Sequence, residues 1–239
     1  VIVSAQYDLT GTLETSKVLT SQTAPVGSDK IFNGADDDGS GTVAVIALAE
    51  AFGNLRIKPR RSIVFIAFCG EELGLLGSAY YTDHPVVPLR NTIANLNLEQ
   101  VGRTDGDVPK GAVSLTGFNY TDMAALFNAV SVQAGLKITE NPVANKYFAA
   151  SDNYNFARYG VPANTLTSAF EFPDYHGLKD EWTKIDYDSL SRITRLSGAV
   201  LWLLADRREP LHWNTKEPKT KQYREAADAL YHPAPKASL

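Results

Sequence analysis

The stretch Ser62-Ile-Val-Phe-Ile-Ala-Phe-Cys-Gly70 leads directly into the two acids Glu71-Glu72. Its β-favouring and small residues predict a strand buried on both faces, followed at once by two carboxylates. In open α/β sheets, ligands bind beyond the carboxyl ends of such strands. Adjacent carboxylates repel each other unless a cation or a proton lies between them. The stretch therefore predicts a metal site with a base beside it; a solvated turn that starts a helix is the alternative.

Two further polar segments interrupt the apolar pattern. Asn33-Gly-Ala-Asp-Asp-Asp-Gly-Ser-Gly41 places three consecutive acids between glycines, just ahead of a predicted helix. Such a loop either holds a cation or caps the helix, since Asp and Ser are favourable caps. His176 lies in a polar loop, where an ordinary surface histidine is the commoner occurrence. Together the three segments supply Asp, Glu and His, which is a zinc ligand set that leaves a position for water.

The order of the predicted elements indicates the fold class. Strands alternate with helices, which is typical of an α/β protein, here a three-layer αβα sandwich around a mixed, mostly parallel β-sheet. The strands are predicted at 1-5, 62-69, 93-98, 111-116 and near 162-168, and the helices at 42-54, from about 73, near 120-134, near 152-158, at 187-206 and after Pro218.

Composition argues against several classes of function. The 239 residues carry a net charge of -4, which provides no broad basic surface for nucleic acid. No apolar run approaches the ~20 residues that a membrane-spanning helix needs. Cys69 is the only cysteine, so no internal disulfide forms. Its position at the end of the apolar strand predicts a buried, inert thiol.

From Val1 to about Asp206, the chain resembles the M28 zinc aminopeptidases. The resemblance rests on the order and spacing of several segments, which are Val1-Ile-Val-Ser-Ala-Gln-Tyr-Asp8, Gly34-Ala-Asp-Asp-Asp-Gly-Ser-Gly41, Gly70-Glu-Glu-Leu-Gly-Leu-Leu-Gly77, Asn97-Leu-Glu-Gln-Val-Gly102, Ser151-Asp152 with Gly160-Val-Pro162, and Tyr175-His176. It implies the fold of the zinc exopeptidases and a metal-dependent release of N-terminal residues.

The resemblance also implies a role for each matching residue. Asp36 corresponds to a carboxylate that bridges two metals, and Glu72 and His176 correspond to terminal ligands of one of them. Glu71 corresponds to the general base, which takes a proton from the attacking water and later gives one to the leaving amine. The peptide after the bridging carboxylate is often cis in this family, so Asp36-Asp37 is the expected cis bond.

Two residues depart from the family pattern, and both correspond to ligands of the other metal. Gln6 stands where the family has His, and Glu99 stands where it usually has Asp. An amide oxygen is a poor zinc ligand, whereas Glu still coordinates but reaches one methylene further. Asp8 corresponds to the residue that orients this His in the family, and we include it among the predicted catalytic residues. In this chain it would hydrogen-bond the Gln6 amide. We therefore expect one strong zinc site, with a second site that is weak, empty or occupied by another divalent cation.

Two other functions stay open at this point. The glutaminyl cyclases resemble the same fold and use one zinc on an Asp, Glu, His set. They place a tryptophan directly before the His, where this chain has Tyr175. The third reading is an M28-fold binding domain with impaired catalysis, against which the retention of Glu71 argues.

The same reasoning gives the remaining expectations. The substrate is a peptide with a free N-terminus, and a monomer is favoured. We expect residues 1-207 to form the catalytic domain of a trimmed product, since elements that family members usually carry upstream do not precede Val1. Residues 208-239 form a C-terminal extension packed on that domain or trailing from it. Secretion or a periplasmic location follows from the resemblance only.

Aromatic and acidic side chains in the later loops are candidates for substrate contacts. The aromatic residues would line a pocket for an apolar first side chain, and they are Tyr147, Phe148, Tyr154, Phe170 and Phe172. The acids would bind the ammonium group of the substrate, and they are Asp152, Glu171 and Asp174.

Overall fold

A computed structural model describes residues 1–16 and 27–233, and it has an α/β architecture. The six strands are β1 Ile2–Gln6, β2 Val64–Phe68, β3 Asn95–Leu98, β4 Ala112–Leu115, β5 Lys137–Ile138 and β6 Ala163–Thr167. They form one sheet in the order β2-β1-β3-β6-β4-β5. Every neighbouring pair is parallel except β4 and β6, which are antiparallel. The predicted mixed, mostly parallel sheet is confirmed.

The helices follow the strands closely in the sequence. They are α1 Gly41–Gly53, α2 Leu76–Asp83, α3 Met123–Ser131, α4 Ala144–Tyr147, α5 Asn153–Arg158, α6 Tyr187–Asp206 and α7 Lys221–Tyr231. A π-helical turn, Ala35–Ser40, leads into α1. Short 3-10 turns lie at Leu89–Asn91, Val132–Ala134, Trp182–Lys184 and Pro218–Thr220. No helix in the described ranges is long and apolar enough to cross a membrane.

Different helices cover the two faces of the sheet. Helices α1, α3 and α6 pack together on one face, where their apolar residues meet Val3 and Leu96. On the other face, α5 packs on β6 and contacts α2 and α7, and Phe156 meets Ile2 and Phe68. Neighbouring residues of β1 thus point into opposite cores, as expected for a central parallel strand. The three-layer αβα sandwich is the result.

The strand before Glu71 is not buried on both faces, and this prediction was wrong. β2 pairs with β1 alone in the described sheet, so it forms an edge. Val64, Phe65 and Ile66 are only partly covered, Ala67 is exposed, and Phe68 alone is buried. Cys69 is exposed as well, which corrects the prediction of a buried thiol. An apolar run of this length does not by itself distinguish an edge strand from a central one.

The described part of the C-terminal segment packs on the rest of the chain. Trp213 and Tyr223 lie in an aromatic cluster with Tyr120. The Trp213 indole donates to the Gly160 carbonyl at 2.9 Å, and the Tyr231 hydroxyl donates to the Thr92 carbonyl at 2.6 Å. Burial of these rings holds α7 against α5 and the neighbouring turn.

The topology determines where polar side chains meet. β1, β2, β3 and β6 run parallel, so their carboxyl ends share one edge of the sheet. Gln6 ends β1, Glu71 follows β2, Glu99 follows β3, and the loop that carries His176 follows β6. Residues distant in sequence therefore meet at that edge.

Candidate metal centre

Three side chains converge at the carboxyl edge of the sheet. The Nε2 atom of His176 lies 3.2 Å from Asp37 Oδ2 and 3.3 Å from Glu72 Oε1. One potential ligand atom from each residue lies within 4.8 Å of the others. Ligand atoms bound tetrahedrally to zinc at about 2.0–2.2 Å stand about 3.3–3.6 Å apart. The donor types and their separations therefore fit a zinc ion, and two carboxylates with one imidazole leave a fourth position open.

The structure places Asp37, and not Asp36, beside Glu72 and His176, which corrects the predicted set. The three consecutive aspartates point in different directions. Asp36 Oδ1 accepts the Gly102 N–H at 2.6 Å, so its carboxylate is turned toward that loop. Gly102 is needed there, because a Cβ at this position would lie 2.8 Å from Asp36 Oδ1.

Asp38 also points away from the three-residue group. Its Oδ1 accepts the N–H groups of Gly41 at 3.0 Å and Gln100 at 3.1 Å, and its Oδ2 accepts the Gln6 N–H at 3.3 Å. The carboxylate thus ties the start of α1 to the ends of β1 and β3. The cis peptide joins Asp37 to Asp38, one residue later than predicted.

Asp180 holds the turn that presents Asp37, and the sequence did not single it out. Its carboxylate is buried and accepts the N–H of Asp36 at 3.0 Å and of Asp37 at 3.0 Å. The guanidinium of Arg103 lies 4.0 Å from it. In the sequence, Asp180 is marked only by its position four residues after His176. That position alone does not indicate a role in holding the turn.

His176 is held by its backbone and by a ring contact. Its φ of 52° is in the left-handed region, which is unusual for a residue other than glycine and is common at functional sites. The imidazole stacks on the Tyr175 ring with centroids 3.9 Å apart. The side chain keeps 24% of its surface exposed, so the centre faces the cavity and is reachable from solvent.

Glu71 lies beside the three-residue group at the turn after β2. Gly70 has a φ of 76°, which turns the chain there, and the Glu71 N–H donates to Asp8 Oδ1 at 3.2 Å. Asp8 thus contacts the backbone of Glu71, and not the Gln6 amide that the family pattern predicts. Burial raises the pKa of Glu71, and the carboxylates of Glu99 and Asp152 raise it further.

The whole cluster is short of positive charge. Burial raises the pKa of Asp37 and of Glu99, and neighbouring carboxylates add to both shifts. Burial lowers the pKa of His176, but hydrogen bonding to Asp37 and Glu72 outweighs it and brings the value to about 10. A divalent cation between these side chains would replace the protons and restore the charged carboxylates.

The two residues expected at a second metal lie outside the three-residue group. Glu99 accepts hydrogen bonds from Ser151 and, at 3.4 Å, from Asn97. Gln6 is buried, and its Oε1 atom has no hydrogen-bond partner. Register pairs Ser4 with Asn97, so Gln6 and Glu99 follow as neighbours on the same face. The two altered residues thus lie at the neighbouring ends of β1 and β3, on the carboxyl edge of the sheet.

A cavity of about 560 Å³ opens over the centre. Asp37, Glu71, Glu72 and His176 line it, as does Tyr175, whose role the sequence did not reveal. The other lining residues are Gly74, Leu75, Ala79, Glu99, Ala149, Ala150, Tyr154, Asn155 and Arg158.

A second cavity of about 80 Å³ adjoins the first through Glu99, Ala150 and Tyr175. Tyr147 and Phe170, stacked with centroids 5.5 Å apart, form part of its wall, and the remaining lining residues are Gln100, Thr116, Ser151, Thr165 and Thr167. Tyr154 lines the larger cavity, while Phe148 and Phe172 are buried in packing. The small cavity is therefore more polar than predicted.

Comparison with known proteins agrees with this geometry. The family profile described as Peptidase family M28 matches residues 1–201. Leucine aminopeptidase 1 of Penicillium rubens is 30% identical over 185 residues, which are 72% of this chain and 47% of that protein. The chain thus spans about half the length of the curated relatives that it matches first.

Two solved structures show the fold. The zinc aminopeptidase BSAP of Bacillus subtilis superposes with a TM-score of 0.64 at 23% identity, over 87% of this chain and 47% of that chain. The glutaminyl cyclase of Porphyromonas gingivalis gives a TM-score of 0.65 at 17% identity, over 84% and 71%. The fold does not distinguish the two activities. The profile match extends over most of the sequence, from β1 into α6, and the chain therefore belongs to peptidase family M28.

Proposed function

We propose that this chain is the catalytic part of a zinc-dependent aminopeptidase, which hydrolyses the N-terminal bond of peptides. The observation that carries the proposal is the convergence of Asp37, Glu72 and His176 with Glu71 directly beside them. The first three would hold zinc. When bound, zinc supplies a Lewis acid that polarises the scissile carbonyl and makes water more acidic.

Glu71 moves the protons of this reaction. It takes one proton from the attacking water and gives it to the nitrogen of the leaving amine, so that the carboxylate is regenerated at the end of each cycle. The Asp8 carboxylate fixes the backbone at Glu71 and acts through it. Burial and the neighbouring carboxylates raise the pKa of Glu71. A cation held by Asp37, Glu72 and His176 would oppose that shift, so that the carboxylate is charged and can accept the proton.

Tyr175 is the hydroxyl donor of the site. No side chain in the described residues hydrogen-bonds its hydroxyl, and the ring lines both cavities. Burial raises its pKa, and the carboxylates of Asp37 and Glu99 raise it further, so the O–H group stays protonated. Its proton would stabilise negative charge that develops on the carbonyl oxygen of the substrate.

Glu99 is the best-placed carboxylate for the ammonium group of the substrate. Asp152 is fully buried, Glu171 hydrogen-bonds Tyr147 and Lys146, and Asp174 pairs with Arg103. Glu99, in contrast, lines both cavities. Because Gln6 adds only an amide oxygen, we propose one strong zinc site, with the second weak, empty or occupied by another divalent cation.

A glutaminyl cyclase is the alternative, and the single Asp, Glu, His group is the observation that favours it. Such an enzyme closes a ring and releases ammonia without consuming water. None of the three tryptophans lines the two cavities, and Trp182 is 67% exposed. The aminopeptidase is therefore preferred, and a pure binding domain is disfavoured by Glu71.

Mass spectrometry of the products tests the proposal. The zinc-loaded protein is incubated with a leucyl peptide and a glutaminyl peptide that both carry free N-termini. Release of the first residue supports the aminopeptidase, whereas loss of ammonia from the intact glutaminyl peptide supports the cyclase. If neither peptide changes while zinc is bound, both proposed enzymatic activities are contradicted. The result would then favour a binding domain without catalysis.

The rest of the proposal concerns the protein around the site. We assign the catalytic domain to residues 1-207 and a C-terminal extension to residues 208-239, and we expect a monomer. Secretion or a periplasmic location completes the proposal. Expression of the protein from its own gene, followed by cell fractionation, checks the location.

A further inference from the structure

Arg158 stands apart from the other charged residues of the large cavity. The carboxylates of Asp37, Glu71, Glu72 and Glu99 make the lining strongly acidic, and Arg158 is the arginine among them. It forms no ion pair within 4.0 Å in the part of the chain that the structure describes. Arginine is the residue that best matches a carboxylate, through paired N–H groups.

The guanidinium is held in position by its own helix. Nη1 donates to Asn155 Oδ1 at 3.1 Å, and the group lies 6.0 Å from the centroid of the Tyr154 ring. Asn155 is anchored in turn, because its amide donates to Ser78 Oγ at 2.9 Å and to the Leu75 carbonyl at 3.2 Å. These bonds tie α5 to α2, so the arginine projects from a rigid support.

The two cavities give the substrate a direction. The small cavity adjoins the large one through Glu99, Ala150 and Tyr175. Leu75, Ala79 and Arg158, from the α2 and α5 side, line only the large cavity. A first side chain placed in the small cavity directs the remainder of the peptide toward α2 and α5.

We propose that Arg158 binds a carboxylate of the residue that follows the scissile bond, so that the enzyme prefers short peptides ending there or peptides with an acidic second residue. This inference rests on the proposed aminopeptidase activity and names its substrate class. An anion entering an acidic cavity needs a cation to offset repulsion, and Arg158 supplies it. A volume of about 560 Å³ accommodates a ligand of this size.

Steady-state kinetics with three leucyl peptides tests the inference. Leu-Gly carries a C-terminal carboxylate, Leu-Gly-amide carries none, and Leu-Glu-amide carries only the side-chain carboxylate. We expect kcat/KM for Leu-Gly to exceed that for Leu-Gly-amide by about fivefold. Arg158→Gln is expected to remove this difference, because it should raise KM for Leu-Gly more than KM for Leu-Gly-amide. Comparison of kcat/KM for Leu-Glu-amide and for Leu-Gly shows whether Arg158 binds a side-chain carboxylate as well as a C-terminal one.

Arg56→Gln is the matched control, since Arg56 is exposed and lines neither cavity. It removes the same charge and should keep the preference for Leu-Gly. Equal cleavage of Leu-Gly and Leu-Gly-amide by the native protein would overturn the inference. A preference for Leu-Gly that persists in Arg158→Gln would overturn it as well. Neither result contradicts the proposed aminopeptidase activity. Failure to cleave any of the three peptides, with zinc bound, would overturn the proposed function itself.

Discussion

His176 and Asp37 approach within 3.2 Å although they lie at opposite ends of the matched sequence, one after β6 and the other before α1. Glu72 completes the contact at 3.3 Å from the same imidazole nitrogen. These two distances are those expected between ligand atoms that share an ion, and the proposed function rests on a metal held there.

The first prediction separates Asp37 from its neighbour. Asp37→Asn is expected to weaken zinc binding by more than about 100-fold, because it removes a charged ligand atom. Asp36→Asn is the matched control. It should retain zinc, since the Asp36 carboxylate is turned to the Gly102 N–H. Competition with a chromophoric chelator measures the zinc affinity of both variants. An equal loss of zinc affinity in the two variants would indicate that Asp36 is also a ligand.

Glu71→Gln is expected to lower kcat by about 100- to 10,000-fold while zinc stays bound. The amide keeps the size of the side chain but accepts no proton from water. Zinc content and kcat are measured on the same preparation. Full activity in this variant would remove Glu71 from the mechanism.

Tyr175→Phe removes one hydroxyl and keeps the ring that stacks on His176. We expect kcat to fall by about 100-fold, with KM and zinc affinity nearly unchanged, because the lost hydrogen bond forms mainly in the transition state. A change confined to KM would show instead that the hydroxyl only binds the substrate.

The second metal site should be recoverable. The double variant Gln6→His with Glu99→Asp supplies an imidazole and a shorter carboxylate at the neighbouring ends of β1 and β3. We expect zinc content after dialysis to rise from one to two ions per chain. Each single variant serves as a control and should stay near one. A double variant that still binds a single ion would show that the neighbouring loops also prevent the second site.

Asp152 should make stability depend on pH. Burial raises its pKa from 3.8 to about 7, and the nearby Ser78 hydroxyl offsets only part of the shift. Between these values the folded state holds a proton that the unfolded chain has lost, so stability falls as pH rises. The slope from this group is at most about 1.4 kcal/mol per pH unit.

Asp152→Asn removes that titration. Chemical unfolding of the metal-free protein at several pH values between 4 and 8 is the measurement, and the window follows from the two pKa values. The native protein is expected to lose stability relative to the variant as pH rises across it. Parallel curves for the two proteins would contradict the raised pKa.

Much of the fold could be predicted from the sequence, because α6 carries apolar residues at helical spacing, while β1 and α1 are nearly continuous apolar runs. The edge position of β2 could not, since an apolar run does not reveal how many neighbours a strand has. The two-residue strand β5 and the four-residue helix α4 also escaped prediction, being shorter than any pattern that periodicity detects.

The site was predicted in outline only. Glu71, Glu72 and His176 lie together in the cavity, as expected from their segments. Three consecutive aspartates, however, are equivalent in a sequence, and only the hydrogen bonds from Gly102, Gly41 and Gln100 show which carboxylate stays free. Asp180 and Arg158 act through contacts made in space, which no local motif encodes.

The central claim is a single strong zinc site on Asp37, Glu72 and His176. Anomalous diffraction at the zinc edge, from a crystal grown with excess zinc, tests it most directly. We expect one fully occupied peak within bonding distance of these three side chains, and at most a weak peak near Gln6 and Glu99. Two fully occupied peaks, or a main peak away from Asp37, would contradict it.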